Sequence, residues 1–162
     1  MKIVVDAMGG DHAPHEIVHG AVQAARLSRG EFTVVLVGIE SKIQEELRTH
    51  IYVESLKIEV VHAPETIGMD DEPIMALRKK RDSSIRIGIH LVKEKKADAF
   101  VSAGSTGAVM AGSLLSLGKI EGVARPAIGA LIPTESGGTL LIDVGANVDA
   151  KPHHLLQFAM MG

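Results

Sequence analysis

The sequence predicts an α/β protein, a three-layer sandwich on a largely parallel, mixed sheet, with residues 1–162 forming a single domain. Short β-branched runs recur along the chain, as at Ile3-Val4-Val5 and Val34-Val35-Leu36-Val37. Stretches with apolar residues at helical spacing separate them, and strands alternating with helices give a parallel sheet covered on both faces. Hydrophobic residues make up 46% of the chain but aromatics only 2%, so the core is aliphatic.

Each element has its own signal. Ile3-Val4-Val5 reads as a first strand and breaks at the turn-rich Asp6-Ala7-Met8-Gly9-Gly10-Asp11. Pro14 opens a helix whose stripe is Ile17, Val18, Ala21, Val22 and Ala25, and Gly30 ends it. Phe32–Val37 is a second strand, and Ser41 is the expected cap of a helix through Ile43 and Leu47. Leu56–Val61 forms a third strand. The loop from His62 to Glu72 is long for an α/β connection, a length usually associated with function or mobility. Ser83-Ser84 starts an amphipathic helix carrying Ile85, Ile89 and Val92, and Asp98–Val101 is a short strand. A helix of small residues follows Ser102–Gly107. Ala127–Ile132 and Thr139–Val144 read as two further strands. Pro152 begins a last helix, apolar to its end at Leu155, Leu156, Phe158, Met160 and Met161, as if the chain continued or packed against another subunit.

Composition excludes several chemistries. There is no cysteine, hence no disulfide, thiolate nucleophile or Cys-ligated zinc. A net charge of -3 supplies no field to draw the chain onto nucleic acid, and the scarcity of aromatic faces argues against stacking on single strands. No apolar run is long enough to span a bilayer, and Met1–Asp6 is too short for a signal peptide, so the expected location is the cytoplasm.

His15-Glu16-Ile17-Val18-His19 satisfies the H-E-x-x-H pattern of zinc hydrolases, but at the very start of a helix and with no evident third ligand. Ser102-Ala103-Gly104-Ser105-Thr106-Gly107 lies where a parallel strand turns into a helix, the place where open α/β sheets bind ligands. Its glycines let backbone approach an anion, and the N–H groups of a helix start favour phosphate; a plain N-cap with tight helix packing is the competing reading. It has no Walker lysine, and no G-x-G-x-x-G follows the first strand, so a nucleotide cofactor is unsupported. Arg78-Lys79-Lys80-Arg81 is the only concentrated positive run, either a solvated helix face or a grip for phosphate or an acidic partner. Asp6 and Asp11 flank Gly9-Gly10, and Asp143, Asn147 and Asp149 surround Gly145; they either satisfy turn backbone or offer polar groups to a substrate.

Four blocks go further. Val5–Pro14, Ala76–Ser84, Val101–Ala108 and Leu141–Asp149 together resemble, in order, the PlsX phosphate acyltransferases of bacterial phospholipid synthesis, across the whole chain. The resemblance implies transfer of a long-chain fatty acyl group from acyl carrier protein to inorganic phosphate, giving acyl phosphate. It implies a homodimer, a fold similar to phosphate acetyltransferases and the isopropylmalate dehydrogenase group, loose contact with the inner membrane surface, and no required nucleotide or metal. Family chains are longer, so these residues correspond to the amino-terminal portion. Two departures stand out: Ser105 replaces an asparagine common in the family, and His154 stands where glutamate is expected.

On this reading Gly104, Ser105, Thr106 and Gly107, with Ser102, Gly9, Gly10 and Asp11, form the phosphate and substrate site. Arg78 and Lys79 are countercharges, and Arg78–Arg81 is where the acidic carrier docks. Asn147 is the expected oxyanion donor of a catalytic group with Asp143 and Asp6. The Leu155–Met161 helix is either core or part of an acyl groove at a dimer interface.

Overall fold

The computed structural model describes residues 1–135 and 137–162. The chain divides into two compact units, Met1–Leu117 and Gly118–Gly162.

The first unit is built on a four-stranded sheet of β1 (Lys2–Asp6), β2 (Thr33–Gly38), β3 (Ile58–His62) and β4 (Ala99–Val101), in the order β3-β2-β1-β4. Every pairing is parallel, with Val4 opposite Val35 on one side and Phe100 on the other. The two-residue period of the strands sorts their side chains into two cores. Val34 and Leu36 of β2 pack with Val18, Ala21, Val22 and Ala25 of α1 (His15–Leu27) and Ile43 and Leu47 of α2 (Glu40–Leu47). Val35 and Val37 face the opposite way and join Val4, with Ile87, Leu91 and Val92 of α4 (Ser84–Lys93) packed against them. Helix, sheet, helix is the three-layer sandwich expected.

α3 (Pro73–Lys79), α4 and α5 (Thr106–Leu117) enclose a third core of Ile67, Ala76, Leu77, Ile85, Ile89 and Ala108. α3 has no counterpart in the sequence reading. It has seven residues and no periodic stripe, and its N-cap is Glu72, whose carboxylate accepts from the N–H groups of Ile74 (3.2 Å) and Met75 (2.6 Å). The loop before it is pinned, contrary to its length. Glu65 bridges to Ser83, accepts the Asp82 N–H on its side chain at 2.8 Å, and Ile67 is buried. Ser41 does not cap α2, whose N-cap is Ile39, two residues earlier, with no side-chain cap.

In the second unit β5 (Gly129–Thr134) and β6 (Gly137–Ile142) pair antiparallel as their own two-stranded sheet. α6 (Pro152–Met161) follows, burying His154 and Phe158 and exposing Leu155, Leu156 and Met160. Among the described residues no helix is long and apolar enough to cross a membrane.

Candidate functional site

β2 and β3 lie to one side of β1 while β4 lies to the other, so the chain reverses its direction of travel across the sheet between β1 and β4. At such a reversal the loops leaving neighbouring strands diverge and open a crevice at their carboxyl ends. The loops leaving β1 and β4 are 7–14 and 102–105, which carry Gly9, Gly10, Asp11, Ser102, Gly104 and Ser105.

A buried carboxylate joins them. Asp6, the last residue of β1, is 1% exposed. Its Oδ1 accepts the N–H of Met8 (3.1 Å) and its Oδ2 accepts the hydroxyl of Ser102 (2.7 Å). The Ser102 Oγ in turn accepts the N–H of Gly104 at 3.0 Å. Both carboxylate oxygens are thus spent on holding two loops together, which makes Asp6 an organiser rather than a free acid or base. Gly9 is required by the same contact: a Cβ there would lie 2.6 Å from Asp6 Oδ2 and 2.8 Å from the Gly104 nitrogen. Gly10 has φ of 114°, and Asp11 is exposed on the rim.

The β4 loop then enters α5. Ser105 is buried, accepts the Ala108 N–H on its hydroxyl at 3.3 Å, and offers its carbonyl to Val109 at 3.0 Å, the arrangement of a helix N-cap. The asparagine expected there would cap equally well, which accounts for the exchange. Among the described residues the backbone N–H groups of Ser105, Thr106 and Gly107 have no acceptor in the protein. These are the orphan donors of a helix start, with the positive end of the α5 dipole behind them. Thr106 and Gly107 are exposed, and Gly107 lies against Pro73 at the start of α3, where a Cβ would come within 2.9 Å. Such an edge can hold a tetrahedral oxyanion by backbone alone.

Arg78 and Lys79 occupy the last turn of α3. Arg78 lines a separate cleft with Arg81, Arg86, His90 and Lys93, while Lys80 is paired with Asp71. The residues lining that cleft include none from Ser102–Gly107.

In the second unit Asp143, at φ of 67°, follows β6 and accepts on one oxygen both the backbone N–H (3.1 Å) and the side-chain amide (2.9 Å) of Asn147. The Asn147 amide also donates to the Pro126 carbonyl at 3.0 Å. Both of its side-chain hydrogens are therefore engaged, and Asn147 and Asp143 together fix the 143–147 turn. His154 is 4% exposed, and its Nδ1 accepts the Lys151 N–H at 3.1 Å, back-capping α6 from the position where glutamate does so in a capping box. Burial, helped by neighbouring His153, lowers its pKa from the usual 6.5.

The zinc pattern finds no support. His15 Nδ1 is 2.8 Å from Glu46, which raises its pKa, and His19 Nε2 meets Gln23 at 2.7 Å. Among the described residues no group of three or more His, Asp or Glu side chains is arranged to hold a metal.

A family model described as "Fatty acid synthesis protein" matches residues 1–162. The chain belongs to this family, the PlsX phosphate acyltransferases. A protein named "Phosphate acyltransferase" from Halothermothrix orenii is 52% identical over 162 residues, covering 100% of this chain and 48% of its own. Proteins of the same name from Desulfitobacterium hafniense and Anaeromyxobacter sp. are 54% and 52% identical over 162 and 160 residues, which cover 47% and 44% of their lengths. The chain therefore spans about half the length of these PlsX relatives.

Proposed function

We propose that this chain carries the phosphate-binding part of an acyltransferase that moves a long-chain fatty acyl group from acyl carrier protein to inorganic phosphate. The carrying observation is the set of unpartnered amides of Ser105, Thr106 and Gly107, held at the reversal point of the sheet by the Asp6–Ser102–Gly104 chain. The names of the relatives supply the reaction class.

The chemistry asks little of acid or base groups. A phosphate oxygen attacks the thioester carbonyl carbon, the C–O bond forms, and the resulting oxyanion collapses with loss of the carrier's thiolate, which takes up a proton from water. Phosphate dianion is nucleophilic near neutral pH and a thiolate leaves readily, so what the protein contributes is orientation and dispersal of charge. Backbone amides at the start of α5 orient the nucleophile without neutralising it, and the Thr106 hydroxyl adds a donor. Gly9, Gly10 and Asp11 form the opposite lip of the crevice. The carrier protein is acidic, and Arg78–Arg81 is its proposed docking place, with Lys79 exposed there. A homodimer, a cytoplasmic location and a peripheral membrane contact, with the exposed apolar residues of α6 facing the acyl chain, complete the reading.

Phosphate-dependent loss of acyl carrier protein thioester tests it. Thr106→Val, which deletes the hydroxyl and keeps the amide, is expected to slow the reaction about tenfold or more. Turnover by the variant at the rate of the parent protein would remove Thr106 from the site.

A further inference from the structure

Outside the sheet crevice, a cleft of about 650 Å³ lies between α3, α4 and α5 and is rich in cationic side chains. Its walls are Arg78, Arg81, Arg86, His90 and Lys93, and its apolar part is Leu77, Gly112 and Leu115, with Ser116 beside them. No carboxylate lines it. Glu94, the nearest acid in sequence to Lys93, is already engaged by His90 (3.1 Å) and Lys96 (2.6 Å). Among the described residues Arg78, Arg81, Arg86 and Lys93 have no acidic partner within ion-pair distance. In a chain of net charge -3, unpaired cations gathered in one concavity repel each other, and a bound anion relieves that repulsion.

We propose that this cleft is a second anion site, which takes a small phosphate compound of more than one negative charge, a diphosphate or a diphosphate ester. Three features select that class. Arginines outnumber lysine, and the planar guanidinium fork matches phosphate oxygens two at a time. Arg86 is already oriented, since its Nη1 donates to the Leu77 carbonyl at 2.7 Å, so less freedom is lost when a ligand binds. The volume suits a compact ligand with one apolar face, whereas an acidic protein surface needs a broad and flatter patch.

The cleft is distinct from the α5 start. Gly112 and Ser116 lie six and ten residues beyond Thr106, roughly 9 and 15 Å along the helix. The site therefore goes beyond the proposed transfer reaction and does not depend on it. Arg78 and Arg81 are shared with the carrier docking proposed above; Arg86 and Lys93 are not.

The test is titration of the chain with inorganic pyrophosphate by calorimetry, with inorganic sulfate and polyglutamate as comparison ligands. Pyrophosphate is expected to bind more tightly than sulfate. Arg81→Gln with Lys93→Gln, both exposed positions, is expected to weaken it roughly tenfold or more, and Arg86→Lys, which keeps the charge and loses the fork, to weaken it severalfold. Lys42→Gln, an exposed change of charge on α2, is expected to leave it unchanged. Circular dichroism confirms that each variant is folded; should Arg86→Lys fail, the exposed pair decides. Pyrophosphate binding that survives the Arg81/Lys93 change, or that Lys42→Gln weakens as much, overturns the proposal. So does a response in which these variants lose polyglutamate alone, since that assigns the surface to a protein. None of these outcomes bears on phosphate bound at Ser105–Gly107.

Discussion

Asp6 shows how much one side chain organises here. Its two oxygens serve a turn of its own loop and a serine 96 positions later, and that serine fixes the glycine just before α5. Replacing Asp6 by Ala strands the Met8 N–H and the Ser102 hydroxyl in a buried setting, at an expected cost of about 2–3 kcal/mol in urea unfolding. Ser102→Ala is expected to cost about 2 kcal/mol, since its hydroxyl loses two links, the one it donates to the Asp6 carboxylate and the one it accepts from the Gly104 N–H. Ser83 is the contrasting case. It stands at the N-cap of α4 but makes no side-chain cap bond, and its fully buried hydroxyl has no partner in the protein. Ser83→Ala is therefore expected to be neutral or slightly stabilising, where loss of an ordinary serine cap costs about 1 kcal/mol. A large destabilisation would mean that the hydroxyl is satisfied by something else, such as a bound water. From sequence, Asp6 was legible as a turn former or a polar group offered to substrate; its partner lies in a distant block, and no local pattern encodes that pairing.

Helices differ in how openly the sequence announces them. α1 and α4 carry strong apolar stripes, Val18-Ala21-Val22-Ala25 and Ile85-Ile89, and stand where the spacing places them. α3 escaped because tertiary packing, through Ala76 and Leu77 against α5, stabilises seven residues with no periodicity of their own. α6 was foreseen from Pro152 and its apolar face, but its cap was not: the expected glutamate is replaced by His154, which does the same work as a neutral acceptor. Protonation of Nδ1 ends that. Because the folded pKa lies below 6.5, the contribution of His154 is fully present above pH 6.5 and is lost as pH falls toward the lowered folded value. The urea midpoint of second-unit resonances is thus expected to fall between pH 7.5 and pH 5. His154→Glu, which keeps a carboxylate cap, is expected to flatten that dependence. An identical pH slope in the variant would remove His154 as its source.

At the scale of the whole molecule, the parallel class and the aliphatic core follow from alternation of apolar strands with helices, and the structure keeps both. What pattern does not convey is how strands are shared out. Ala127–Ile132 and Thr139–Val144 have apolar signals like those of β1 to β4, yet they pair with each other, being separated by too few residues for the helical crossover that a parallel pairing needs. The candidate site shows the same division. The glycine-bearing strand-to-helix junction is visible as a motif, whereas the freedom of its amides depends on which carbonyls come near, a property of the folded chain.

Phosphate binding to Thr106→Pro, followed by phosphorus NMR titration, tests that freedom most directly. Thr106 is the first residue of α5, where proline fits the helix and removes one N–H. The account expects the helix to survive by circular dichroism and affinity for inorganic phosphate to drop about tenfold or more. Unchanged affinity in a folded variant would contradict it.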